Sequence, residues 1–200
     1  MSGTDQKTDA PAGLDGLARA ASANAEKGLP PVHLWNPEYC GEIDMRIARD
    51  GLWFYQGTPI GRERLVRLFS TILRKEDDGS YVLVTPVERV GIEVEDVPFV
   101  AVDVEAKGEG RAQTLTFRTN VGDFVTADAD HPIRIEKDPE TGEPTPYVLV
   151  RARLEARVNR AMFYYLVDYG TVEEKDGARL FGVWSGGVFF PFAPARELGL

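Results

Sequence analysis

Cysteine and histidine are scarce in this sequence of 200 residues. It has one cysteine, Cys40, and two histidines, His33 and His131. A single cysteine excludes an intrachain disulfide and makes the reducing cytoplasm the expected compartment. These three residues are also too few for the usual zinc sites, which combine four cysteines and histidines. We therefore expect no disulfide, no metal and no cofactor.

Basic residues are outnumbered by acidic ones. The chain has 23 Lys and Arg against 32 Asp and Glu, which gives a formal net charge of -9. Binding to nucleic acids and to anionic membranes depends on an excess of Lys and Arg, so we expect neither as a partner. Any site for a phosphate group must then be local. The hydrophobic share of 43% is that of an ordinary soluble globular protein.

Long apolar runs are absent from the N-terminal stretch "MSGTDQKTDAPAGLDGLARAASANAEKG". It therefore resembles neither a signal peptide nor a membrane span. Residues 1–32 are rich in Ala, Gly, Asp and Ser and close with "GLPP". That composition predicts a flexible tail outside the core.

Familiar catalytic and nucleotide-binding motifs are also missing. The chain has neither G-x-x-x-x-G-K-[ST] nor G-x-G-x-x-G, and "VWSGG" has Val183 where a nucleophile elbow needs glycine. The run "TADADHPIRI" groups Asp128, Asp130 and His131, which suits acid–base chemistry, but a polar cluster before Pro132 also suits a turn into a strand. A hydrolase or transferase acting on a phosphorylated metabolite is therefore kept as the alternative function, and no catalytic residue is assigned.

Alternating apolar residues appear from Ile43 onwards. "IDMRIA" and "LWFYQ" flank Asp50-Gly51, which predicts a hairpin. In "TPIGRERLVRLFSTILRK" the apolar residues recur at helical spacing, which predicts a helix. After Asp78-Gly79 the pattern predicts a series of strands, "YVLVTP", "ERVGIEVE", "PFVAVDVEA", "AQTLTFRT" and "DFVTA", with "KGEGR" as a hairpin turn.

The order strand, strand, helix, Asp-Gly, strand then recurs. "HPIRIE" and "PYVLVR" predict strands, "ARLEARVNRAMFYYLVDY" predicts a second helix, and Asp176-Gly177 precedes another strand. The predicted fold class is α+β, with two repeated strand-strand-helix-strand units and mostly antiparallel sheet. The predicted domains are residues 33–86 and 87–200, which meet near Thr85-Pro86.

Arginines stand at the start of both predicted helices. A helix N-terminus carries a partial positive charge and free backbone N–H groups, and guanidinium groups beside it favour capture of a phosphate or carboxylate. The same arginines could instead pair with the acidic strands "ERVGIEVED" and "VDVEA" or lie over apolar surface. They are Arg62, Arg64 and Arg67 in the first helix and Arg151, Arg153 and Arg157 in the second.

Several phrases together resemble a bacterial family, domain of unknown function 1285, from about Leu34 to the end of the chain. They include "CGEIDMRI", "GTPIGR", "LVRLFS", "TPVE", "VEDVPF" and "PYVLVRARLEARVNRAMFYYL". The resemblance implies a duplicated α+β core whose C-terminal part is similar to a pleckstrin-homology barrel. It also implies a site for a nucleotide-like ligand between the two domains and a role in signal transduction, and it supplies no catalytic residue.

These observations predict a cytoplasmic ligand-binding or sensor module with a small anionic ligand in the cleft between two repeated domains. Arginines would bind its phosphate or carboxylate, and polar side chains would bind ribose or base groups. The candidate contacts are Arg46, Arg62, Thr85, Glu88, Thr119, Asn120, Tyr147, Arg151 and Arg157. A further hypothesis is a protein-interaction module that uses exposed edge strands of residues 80–118.

Overall fold

The computed structural model describes residues 13–22, 28–137 and 142–200. It divides the chain into two compact units, Met1–Asp96 and Val97–Leu200. Strands predominate in both units, with few helices, so the broad α+β assignment holds. The division follows Asp96 rather than Pro86, because the strand that begins at Arg89 pairs with strands of the first unit.

The first unit contains one six-stranded sheet, called sheet A. Its strands lie in the order β3-β2-β1-β6-β5-β4, and only β1 and β6 run parallel. The hairpin expected at Asp50-Gly51 joins β1 to β2, and Gly51 has a φ of 86°, which suits glycine. The strands are β1 (Tyr39–Ile47), β2 (Trp53–Tyr55), β3 (Thr58–Pro59), β4 (Leu73–Lys75), β5 (Tyr81–Val84) and β6 (Arg89–Val94).

Two helices accompany sheet A, α1 (Leu14–Ser22) and α2 (Glu63–Thr71). Phe69 of α2 stacks on Trp53 of β2 with ring centroids 6.5 Å apart, which packs the helix against the sheet. Helix α1 contacts α2 and buries Leu17 and Ala21. This part of the expected tail therefore belongs to the core of the unit, because its apolar residues are spaced one helical turn apart. Residues 1–12 and 23–27 lie outside the described part of the chain.

The second unit contains sheet B, whose strands lie in the order β10-β11-β12-β7-β8-β9. Only β12 and β7 run parallel. The "KGEGR" segment joins β7 to β8 as a hairpin, as predicted. The strands are β7 (Phe99–Lys107), β8 (Thr114–Thr119), β9 (Phe124–Thr126), β10 (Ile133–Lys137), β11 (Pro144–Arg151) and β12 (Leu154–Val158).

A helix and a three-stranded antiparallel sheet complete the second unit. They are α3 (Arg160–Asp168), β13 (Thr171–Lys175), β14 (Ala178–Ser185) and β15 (Val188–Pro194). The buried Ser185 ties β14 to sheet B, since its hydroxyl donates to the carbonyl of Ala127 and accepts from the amide of Leu115. Phe163 of α3 packs on Phe192 of β15 with ring centroids 6.0 Å apart.

The second helix is shorter than predicted. Residues 154–158 form β12, and the helix begins only at Arg160, after Asn159 caps it by accepting from the amide of Met162. The spacing of Leu154 and Val158 suits a helix, but Ala156 between them completes an alternating pattern, and all three are buried. Pairing with β11 and β7 decides in favour of the strand.

The duplication is present, but the repeated unit is a six-stranded sheet and not the predicted strand-strand-helix-strand unit. Both sheets place six successive strands in the same order, with the first and sixth adjacent and parallel. Strand β11 therefore corresponds to β5, not to β2 as the strand-strand-helix-strand alignment implied. The predicted alignment was wrong because it matched α2 with α3. Helix α2 lies between the third and fourth strands of sheet A, whereas α3 follows the last strand of sheet B.

Candidate functional site

The fifth strands of the two sheets carry the same four residues. "YVLV" occurs at residues 81–84 in β5 and at residues 147–150 in β11. Each tyrosine faces a cation on the fourth strand. Lys75 pairs with Tyr81 and holds its Nζ 5.3 Å from the ring centroid, and Arg134 pairs with Tyr147 and holds its Cζ 4.1 Å from the ring centroid. The duplication thus preserves a cation–π pair.

The sixth strands differ at the residue opposite this tyrosine. Ile92 pairs with Tyr81 in sheet A, whereas Arg157 pairs with Tyr147 in sheet B. Arg157 also pairs with Val100 of β7 on its other side. Sheet B therefore has a guanidinium group where sheet A has an apolar side chain.

The turn after β8 contacts the same strand pair. The Oδ1 of Asn120 accepts from the amide of Val100 at 3.0 Å, and the Asn120 amide donates to the Val100 carbonyl at 2.8 Å. The hydroxyl of the buried Thr119 accepts from the amide of Asp123 at 3.0 Å. Asn120 and Thr119 thus shape the turn and hold it against the first strand of the sheet.

Arg151 ends β11 beside this turn. Its Nη1 forms an ion pair with Asp123, and its guanidinium lies 4.8 Å from the ring centroid of Phe99. Only 18% of the side chain is exposed. Arg151 is therefore paired with an acidic residue, but that residue lies in a turn and not in either of the acidic strands considered from the sequence. Neither Arg151 nor Arg157 lies at a helix start, which corrects that part of the interpretation.

Arg134 is a site residue that sequence reasoning missed. Its Nε and Nη2 donate to the two carboxylate oxygens of Glu155 at 2.6 and 2.8 Å, a bidentate pair that raises the pKa of Arg134. The hairpin of "HPIRIE" with "PYVLVR" could have placed it, because pairing the two strands sets Arg134 opposite Tyr147. We call Asn120, Arg134, Tyr147 and Arg157 the sheet B cluster, because Arg134, Tyr147 and Arg157 are neighbours across three strands and Asn120 is hydrogen-bonded to Val100, the next neighbour.

The candidates of the first unit have other surroundings. Arg46 forms an ion pair with Glu95 and lies 4.4 Å from the ring centroid of Phe54. Arg62 is exposed at the N-cap of α2. The hydroxyl of the buried Thr85 accepts from the amide of Glu88 at 3.2 Å, within the turn between β5 and β6. That arginines of both units share one cleft stays a prediction.

The Asp128 to His131 segment forms a turn that leads into β10. The Oδ1 of Asp128 accepts from the amides of Asp130 and His131 at 2.9 and 2.8 Å, and it lies 3.2 Å from the His131 Nδ1. Partial burial works to raise the pKa of Asp128, but the hydrogen bonds from His131 and Asp130 outweigh it and keep that pKa below its ordinary value. The interpretation of this run as a turn into a strand is confirmed.

Two family models match successive parts of the chain. The N-terminal domain of unknown function DUF1285 matches residues 30–97, and the C-terminal domain of the DUF1285 protein of unknown function matches residues 98–192. The chain belongs to the DUF1285 family. The boundary between the two models agrees with the division between the two units.

Two solved structures of DUF1285 proteins are similar to this chain. One, from Silicibacter pomeroyi DSS-3, is 58% identical with a TM-score of 0.83, over 92% of this chain and 98% of that protein. Another, from Shewanella baltica OS155, is 28% identical with a TM-score of 0.50, over 64% of this chain and 92% of that protein. No curated protein matches the chain. Within the described residues, no helix is both long enough and apolar enough to span a membrane.

Proposed function

We propose that this DUF1285 protein is a cytoplasmic ligand-binding or sensor module with a role in signal transduction. Its ligand is a small anionic, nucleotide-like molecule, and the sheet B cluster of the second unit binds it. The observation that carries the proposal is the pairing of Tyr147 with Arg157 and of Arg157 with Val100, to which Asn120 is hydrogen-bonded. Three residues chosen from the sequence as ligand contacts, Asn120, Tyr147 and Arg157, belong to this cluster.

The comparison with sheet A supports a role for Arg157 beyond folding. Ile92 fills the equivalent place in sheet A and is buried there, so an apolar side chain satisfies the packing at that position. A guanidinium group in a sheet costs desolvation energy that isoleucine avoids. Arginine forks match the geometry of phosphate and carboxylate groups. A role in anion binding therefore accounts for an arginine at this position.

Two arginines of this region are held by carboxylates, Arg134 by Glu155 and Arg151, at the end of β11, by Asp123. Each pair orients its guanidinium, and an incoming anion would share or replace the carboxylate. Arg157 is the residue whose substitution should best separate binding from folding, because isoleucine occupies the equivalent position in sheet A. Asn120 is suited to a ribose or base group.

Thermal unfolding in the presence of anions tests the proposal. The full chain is screened against mononucleotides, inorganic phosphate and dicarboxylates at matched ionic strength, and a bound anion should raise the Tm. Arg157→Ile, which installs the sheet A residue, should abolish the increase while leaving the ligand-free Tm nearly unchanged. Arg118→Ala is the matched control, because Arg118 lies in the same sheet, is exposed and pairs with Asp103.

Two results would contradict the proposal. One is an unchanged Tm across the whole anion panel. The other is a ligand-induced increase in Tm that persists in the Arg157→Ile variant, which would show that the ligand binds elsewhere. Arg62→Ala tests the separate prediction that the first unit contributes, since it should then reduce the ligand-induced increase as well.

A further inference from the structure

A cavity of about 450 Å³ lies within the second unit, away from the sheet B cluster. The turn between β7 and β8 forms one wall, and the segment between α3 and β13 forms another. Trp184 of β14 contributes an aromatic surface. The lining residues that the argument uses are Glu109, Asp168, Tyr169 and Trp184.

The charged residues that line this cavity are acidic. Within the part of the chain that the structure describes, Glu109 and Asp168 are its ionisable lining residues, apart from the Tyr169 phenol, and neither Lys nor Arg lines it. Helix α3 also ends here, with no basic residue in its last turn. A helix C-terminus carries roughly half a negative charge on its unsatisfied carbonyls. The cavity therefore favours a cation.

The protein already holds one guanidinium group beside this cavity. The Cζ of Arg111 lies 5.0 Å from the ring centroid of Trp184, and its Nη2 lies 3.4 Å from the Glu173 Oε2. The other carboxylate oxygen of Glu173 accepts from the Trp184 indole N–H at 2.9 Å. Trp184 and Glu173 thus form a fixed pair that presents a ring and a carboxylate to one planar cation.

Arg111 is weakly held in this position. Its side chain is 75% exposed, and it stands in a short 3₁₀ turn, Gly110–Ala112. Exposed ion pairs of this kind contribute little, so another guanidinium can compete with it. The net charge of -9 further favours the approach of a cation.

We propose that this cavity binds a ligand that carries a guanidinium group, which inserts between Trp184 and the end of α3, and that Arg111 competes with it. The guanidinium could belong to a small molecule or to an arginine side chain of a partner protein. Because the ligand is a cation and the cavity shares no lining residue with the sheet B cluster, this site is separate from the proposed anion site.

Nuclear magnetic resonance of the full chain tests the proposal through the Trp184 indole signal, which Trp184→Phe identifies. N-acetyl-L-argininamide and an acetylated Gly-Arg-Gly peptide are the probes, and the citrulline analogue of the first is the control. Citrulline keeps the planar shape but has a carbonyl oxygen in place of one NH2 group and carries no charge. A saturable shift of the Trp184 signal with the arginine probes and none with citrulline is expected. Binding of both probes indicates a small-molecule site, and binding of the peptide alone indicates a partner protein.

Two substitutions separate competition by Arg111 from a general charge effect. Arg111→Ala should tighten binding by about two- to fivefold, because it removes a competing cation–π contact. Lys107→Ala is the matched control, since Lys107 lies near the same turn, is largely exposed and pairs with Glu105, and it should change affinity much less. Glu173→Gln in the Arg111→Ala background should weaken binding. The proposal is overturned if the Trp184 signal does not saturate, if citrulline binds equally well, or if Arg111→Ala fails to tighten binding.

Discussion

Sheets A and B share an arrangement of strands but differ in what surrounds it. Both have six strands in the same order, a parallel pair at the centre, "YVLV" on the fifth strand and a cation over its tyrosine. Sheet A has α2 between its third and fourth strands, whereas sheet B has a turn there and continues into α3 and a further sheet. Pairing within a sheet restricts strand order, whereas connections at the surface vary freely.

The two sheets differ in how completely the repeated strand is buried. In β5 all four residues of "YVLV" are buried, whereas in β11 the leucine, Leu149, is half-buried. The same sequence therefore contributes different amounts of buried apolar surface in the two units. Function can differ for the same reason, since the neighbour of the repeated tyrosine is Ile92 in one sheet and Arg157 in the other.

The largest expected effect comes from shortening the repeated leucines. Leu83 is 0% exposed, so Leu83→Ala should lower the free energy of unfolding by about 2–5 kcal/mol through lost burial and a cavity. Leu149→Ala should cost about 1 kcal/mol, because its side chain is only half-buried. Urea denaturation monitored by circular dichroism measures both. Equal losses for the two variants would show that the two strands have equivalent surroundings.

A smaller effect is expected from removing the cation over each tyrosine. Arg134→Ala should lower the free energy of unfolding by about 1–2 kcal/mol. The substitution removes a cation–π contact and leaves the half-buried Glu155 without its bidentate partner. Lys75→Ala should lower the free energy of unfolding by less than about 1 kcal/mol, since the Lys75–Tyr81 contact is longer than the Arg134–Tyr147 contact.

Denaturation of Arg134→Ala, Lys75→Ala and the double variant provides the comparison. Losses that add in the double variant would show that the two pairs contribute independently. A larger loss for Lys75→Ala would show that the cation–π pair, rather than the ion pair, dominates in both sheets.

The smallest effect concerns the turns that precede a strand in each unit. The pKa of Asp128 lies below its ordinary value of 3.8, so the charged form stabilises the folded protein. That contribution is present above the unfolded pKa and is lost as pH falls through the folded one. Asp128→Asn keeps an acceptor for both amides but has no charge. The wild type should therefore be more stable than the variant at pH about 6, and the difference should shrink as pH falls below 3.8.

Asp78→Asn is the matched substitution in sheet A. The Ser80 hydroxyl and amide donate to the Asp78 carboxylate, and these bonds lower the pKa of Asp78. The same direction of pH dependence is expected there. Thermal unfolding at a series of pH values measures both variants, and a difference that persists at low pH would assign the effect to turn geometry instead of charge.

Much of the local structure follows from short stretches of sequence. Asp50-Gly51 and Asp78-Gly79 each join antiparallel strands, and the apolar spacing around Phe69 marks α2. Thr85 and Thr119 shape local turns, since their hydroxyls accept from amides three and four residues further on. The contact of Asn120 with Val100 was less predictable, because the two residues are 20 positions apart. Arg134 was missed because its significance depends on the strand it faces.

The sequence by itself determined the hairpins, the helix α2 and the general α+β character, because turn residues and hydrophobic periodicity act over a few positions. Only the tertiary structure decided that residues 154–158 form a strand, that the first and sixth strands of each sheet run side by side, and that Arg157 faces Tyr147. Those outcomes depend on pairing between residues far apart in the chain. No local pattern encodes such a pairing, since the same alternation of apolar residues suits several partners and only the complete sheet buries them all.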